Sequence, residues 1–61
     1  MLTAKVRILF EAQGKRMARE FTLSAASTCD ALITVQTLVG RVYQNDGFRL
    51  LGSKAEAVCR N

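Results

Sequence analysis

The sequence predicts an α+β domain of order ββαββ, one helix packed on a four-stranded mixed sheet. Three observations carry that expectation. Residues 2–12 alternate apolar and polar with period two. The stretch STCDALITVQTLVGRVY, Ser27 to Tyr43, has the one strong helical periodicity. Glycine-bearing turn signals at Gln13-Gly14 and Gly52-Ser53 each separate two short alternating runs. With 61 residues the chain is a single small domain, 1–61.

In the first run, Leu2, Ala4, Val6, Ile8, Phe10 and Ala12 share one face, and Thr3, Lys5, Arg7, Leu9 and Glu11 share the other. A second strand follows from about Arg16 to Leu23. A two-residue loop at Gln13-Gly14 sets Ala12 opposite Lys15, and Gly14 supplies a positive φ. Glu11 then faces Arg16 and Arg7 faces Glu20, while Phe10 meets Met17, Val6 meets Phe21 and Ala4 meets Leu23. A four-residue loop would keep the core face but lose both charge pairs, so the shorter loop is preferred. Arg19 points inward in this register, as expected of a charge guarding an edge strand.

Ser27 is the expected helix N-cap, with Asp30 three residues on; Ser24 is a possible earlier cap. Ala31, Val35, Leu38 and Val42, flanked by Leu32, Val39 and Tyr43, form the apolar arc, and Ile33 falls on the polar side. Gly40 weakens the last turns, and Asn45-Asp46-Gly47 ends the helix. Phe48–Leu51 and Lys54–Arg60 are then expected as a second hairpin about a type II′ turn at Gly52-Ser53. This would pair Leu50 with Ala55 and Phe48 with Ala57, and place Cys59 on the core face.

The helix joins strand two to strand three, which a right-handed crossover would make parallel within one sheet. Two strand orders satisfy this, 2-1-4-3 and 2-1-3-4, and the first is preferred. In element order and length the chain resembles β-grasp domains such as ubiquitin-like and protein G-like folds. The resemblance involves no sequence motif: the residues Val58-Cys59-Arg60-Asn61 lack the Gly-Gly of ubiquitin-like carriers. It implies a fold and transfers no function.

Composition narrows the function classes. The chain is 49% hydrophobic and 23% charged, a globular balance, and no apolar run approaches the roughly 20 residues of a membrane span. A start of MLTAKVRILF lacks the uninterrupted apolar core of a signal peptide, so a cytoplasmic protein with reduced thiols is expected. There is no histidine, no CxxC, and no acid pair at catalytic spacing, so no metal, cofactor or enzymatic activity is expected. Cys29, near the start of the helix, supports only a weak thiol-enzyme reading, because no histidine is present to serve as its base and Asp30 opposes a thiolate. A Cys29–Cys59 disulfide would require the helix start and a strand end to meet within about 7 Å.

What remains is the sheet face that the helix leaves uncovered. Leu9, Leu51 and Val58 are expected there as an apolar strip with a charged rim, the anatomy of an interface, and Ile33 offers a secondary contact on the helix. A chain this small buries only roughly 60% of its unfolded surface and gains from oligomerising. The leading expectation is therefore a non-enzymatic protein-interaction or regulatory module, homodimeric through the outer sheet face or a sheet edge, with a further protein partner not identified by the sequence. The alternative is a small basic nucleic-acid-binding protein using Lys5, Arg7, Arg16, Arg49, Lys54 and Arg60, in keeping with a net charge of +4.

Overall fold

The first eleven-residue run forms β1 (Leu2–Ala12), and every other element packs on it or pairs with it. The computed structural model describes residues 1–58. β1 is followed by β2 (Lys15–Ala25), α1 (Thr28–Val42) and β3 (Arg49–Ala57). The sheet has three strands in the order β2-β1-β3, and β1 is antiparallel to both neighbours.

The β1–β2 hairpin has the register expected from residue pairing: Ala12 opposite Lys15, Phe10 opposite Met17, Arg7 opposite Glu20 and Ala4 opposite Leu23. Gln13 (φ 56°) and Gly14 (φ 73°) both lie at positive φ, the requirement of a two-residue type I′ turn. β2 is an edge strand, as Arg19 suggested.

The second half of the sheet corrects the expectation. There is no second hairpin, no fourth strand and no parallel neighbour among the described residues, and neither proposed strand order applies. Gly52 and Ser53 lie inside one continuous strand, and Gly52 is not at the positive φ a type II′ turn would need. Leu50 is opposite Phe10 rather than Ala55; Ala55 is opposite Val6. The physical reason is the length of β1. Its second edge offers backbone groups along almost its whole length, and β3 pairs with them from Ala4 to Glu11, whereas a hairpin of two short arms would leave part of that edge unsatisfied. The cost is one irregularity. Leu50 pairs with Phe10 and Gly52 with Leu9, so Leu51 is an inserted bulge residue. The expected inward placement of Cys59 lies outside the described residues, as does the end of the expected fourth strand.

Ser27 caps α1 as expected. Its backbone is extended (φ −154°, ψ 167°), and its Oγ accepts a hydrogen bond from the Asp30 N–H at 3.1 Å. The buried stripe of the helix is Ala31, Val35 and Val39, with Leu32 and Tyr43 packed beside it. Leu38 (53% exposed) and Val42 (64%) fall outside the core, although periodicity put both in the arc. An aromatic cluster accounts for the rotation. Tyr43 and Phe48 stand against Phe10 with ring centroids 5.0 and 5.5 Å away, which draws the Tyr43 flank of the helix inward and turns the Leu38–Val42 flank toward solvent beside β2.

The core is Ala4, Val6, Ile8, Phe10 and Ala12 of β1, with Ala25, Ala31, Val35 and Val39. Four of these nine are alanines, so a few large side chains carry most of the hydrophobic stabilisation. Ile8→Ala is therefore expected to cost roughly 2–5 kcal/mol, enough to unfold a chain this small, whereas Leu38→Ala should cost well under about 1 kcal/mol. A Cβ on Gly40 would meet only a Phe48 ring carbon at 3.8 Å, an ordinary contact. Gly40→Ala should thus gain up to about 1 kcal/mol. Urea denaturation of the three variants checks all three signs.

Candidate functional site

α1 covers one face of the sheet, so the other face is open on all three strands. Its side chains come from the odd residues of β1 and the residues opposite them. Thr3, Lys5, Arg7, Leu9 and Glu11 run down the centre. Ser24, Thr22, Glu20, Ala18 and Arg16 lie on one side, and Glu56, Lys54, Gly52 and Arg49 on the other.

Leu9, Leu51 and Val58, the residues expected as an apolar strip, do not form one. Leu9 (41% exposed) lies opposite Gly52, next to the bulge residue Leu51 (36%), toward the hairpin-turn end of the sheet. Val58 donates its N–H to the Thr3 carbonyl at 2.8 Å, at the other end. Between them stand Lys5, Arg7, Lys54 and Glu56. Ile33 (56% exposed) lies on the helix. It is one turn before Gln36, whose Nε2 donates to the Ser53 Oγ at 2.8 Å, and so occupies the helix flank nearer β3.

The basic residues divide likewise. Lys5, Arg7 and Lys54, with Glu20 and Glu56, line a shallow depression of about 130 Å³. Arg7 pairs with Glu20 at 3.3 Å, as expected, and lies directly opposite Lys54 on its other side. Arg16 is opposite Glu11 as expected, but the ion pair of Glu11 is with Arg49, at 3.7 Å. Both ion pairs are largely exposed and contribute at most about 1 kcal/mol each. Arg60 lies outside the described residues. No aromatic ring lies on this face among the described residues: Phe10 is buried in the core, and Phe21, Phe48 and Tyr43 pack against it.

The backbone defines two sheet edges of different character. A two-residue hairpin closes on a hydrogen-bonded pair, here Ala12 and Lys15, and such pairs alternate along an antiparallel ladder. The even residues of β1 therefore bond to β2 and the odd ones to β3, in agreement with the bond from Val58 to Thr3. The residues of β2 that face its free edge are then Arg16, Ala18, Glu20, Thr22 and Ser24. Arg19 turns its Nη1 onto the Ala18 carbonyl at 3.0 Å, occupying one of those edge acceptors. On β3 the residues facing the free edge are Ser53, Ala55 and Ala57. These side chains are small and uncharged, and Ser53 and Ala57 are exposed. Sequence reasoning missed this edge because Gly52-Ser53 reads as a turn.

A second depression, of about 250 Å³, lies between β2 and the helix and is lined by Arg19, Phe21, Leu38, Val39, Val42 and Tyr43. It too was missed, since the periodicity of Leu38 and Val42 signals burial. Cys29 is a free, exposed thiol on the first turn of α1. Among the described residues no three His, Cys, Asp or Glu side chains gather into a group that could hold a metal ion, and no helix is long and apolar enough to cross a membrane. Comparison of the chain with protein-family models, curated proteins and solved structures returned no match.

Like charges directly opposite each other on neighbouring strands are destabilising. Lys54→Gln, which removes the cation facing Arg7, is therefore expected to raise the stability of dilute protein by a few tenths of a kcal/mol. Added salt should stabilise the parent chain more than this variant. Urea midpoints at low and high ionic strength test both points.

Proposed function

We propose that the chain is a small non-enzymatic interaction module that acts as a homodimer, presenting surface to a partner rather than performing chemistry. The observation that carries this reading is the one-sided architecture. A single helix covers one sheet face, leaving the other face and the β3 edge uncovered. The nine-residue core beneath the helix, rich in alanine, is a small store of burial for a stable monomer. A second copy, laid on the open sheet face or added along a sheet edge, would supplement that core. The distribution of side chains also favours a binding role. Of the five acids, Glu20 and Glu56 stand among three cations at one shallow depression, Glu11 pairs with Arg49 toward the hairpin turn, Asp30 is at the helix start and Asp46 in a loop.

Nucleic-acid binding is the second reading, favoured by the grouping of Lys5, Arg7 and Lys54 at one shallow depression. Against it stand the interleaved acids Glu11, Glu20 and Glu56 and the lack of an aromatic platform among the described residues of this face.

Sedimentation velocity over a dilution series should give twice the chain mass at high concentration; a strict monomer throughout would overturn the homodimer. If the outer face forms the contact, Leu51→Glu should shift the dimer to monomer while leaving the far-ultraviolet spectrum unchanged. The nucleic-acid reading predicts retention on heparin at low salt, weakened by Arg7→Ala and Arg49→Ala. Passage straight through the column would remove it.

A further inference from the structure

We infer that the homodimer forms edge to edge, by antiparallel pairing of β3 with the β3 of a second copy about a two-fold axis at Ala55, which gives one continuous six-stranded sheet. This inference rests on the homodimer reading and specifies its contact.

Three observations select this arrangement. The first is the contrast between the edges. β2 has an exposed arginine, Arg19, that donates to its Ala18 edge carbonyl, whereas β3 presents the backbone groups of Ser53, Ala55 and Ala57 behind small, uncharged side chains. Beyond the bulge at Leu51, an edge whose outward-bonding residues are small and uncharged is a template for another strand. The second is hydrogen-bond parity. With Ala55 on the axis, Ala55 meets the partner's Ala55 and Ser53 meets the partner's Ala57. All of these residues have their N–H and C=O groups turned to the free edge, so the ladder closes without a conformational change.

The third is charge. The same register sets Lys54 opposite the partner's Glu56, and by symmetry Glu56 opposite the partner's Lys54, in the non-hydrogen-bonded positions where cross-strand side chains come closest. Neighbouring registers lose this match. An axis at Lys54 would oppose two lysines, one at Glu56 would oppose two glutamates, and one at Ser53 would oppose Lys54 to the partner's Gly52. Within one copy neither Lys54 nor Glu56 makes an ion pair within 4.0 Å among the described residues; Lys54 lies opposite Arg7, which repels it, and Glu56 lies opposite Lys5, so the seam gives Lys54 an opposite charge and Glu56 a second one. A two-fold axis normal to the sheet also keeps both helices on one face, with the flanks that carry Ile33 and Gln36 turned toward each other across the seam.

The test compares three variants by sedimentation over a dilution series. Ala55→Pro deletes an N–H that β1 does not use, so the monomer ladder is kept while the seam is blocked; it should fold and be monomeric. Lys54→Glu and Glu56→Lys should each weaken self-association by on the order of tenfold or more, because both seam pairs become repulsive. Mixed one to one, these two variants should form a heterodimer, since every seam pair is again opposite in sign. Should Ala55→Pro fail to fold, the charge exchange decides alone: a mixture no more associated than its components would overturn the inference. A parent dimer that persists in Ala55→Pro and is broken by Leu51→Glu would place the contact on the outer face, ending the edge inference while leaving the homodimer intact. A parent chain that stays monomeric would remove both.

Discussion

The demand of β1 for hydrogen-bond partners on both of its edges governs this structure. An eleven-residue strand at the centre of a sheet has backbone donors and acceptors on both sides along its length, and each one left buried and unmet would cost about 1–3 kcal/mol. The hairpin meets the demand on one side through contiguous sequence. On the other side the chain must cross the sheet by way of α1 and return as a strand long enough to cover what remains. That requirement outweighs the local turn preference of Gly52-Ser53, and it fixes the position of the helix over the single face where β1 buries its even-numbered side chains.

The legible parts of the fold are those in which sequence-local signals and the global requirement agree. Alternation in β1, opposite charges at Arg7 and Glu20, and a glycine able to take positive φ at position 14 all specify one hairpin register. Ser27 and Asp30 locate the helix start because capping depends on the three residues that follow the cap. Failure came where a distant contact decided the outcome. Leu38 and Val42 satisfy the helical period as well as Val39 does, yet the rotation of the helix is set by Tyr43 and Phe48 against Phe10, a contact across the sheet and the connecting loop. The bulge at Leu51 is hidden for a similar reason, since it answers the spacing of β1 and not any preference of its own residues.

The candidate surface was legible in type and not in arrangement. Reading the odd residues of β1 outward was enough to find Lys5, Arg7 and Leu9 on the uncovered face. Treating residues 48–60 as a hairpin, however, grouped Leu51 with Val58, which the continuous strand β3 and the residue after it hold apart, with a charged belt between them. Acids interleave with the cations of that belt, but Arg7 and Lys54 stand side by side, so the face keeps an excess of positive charge.

The bulge at Leu51 also reverses the phase of β3. Before it, the even residue Leu50 lies opposite the core residue Phe10; after it, the odd residues Ser53, Ala55 and Ala57 lie opposite Ile8, Val6 and Ala4. The strand therefore has two reading frames for inside and outside, joined at one residue. A slip that the bulge absorbs at one end need not carry the other end's side chains to the wrong face, so the register of the aromatic end and that of the exposed edge are set separately.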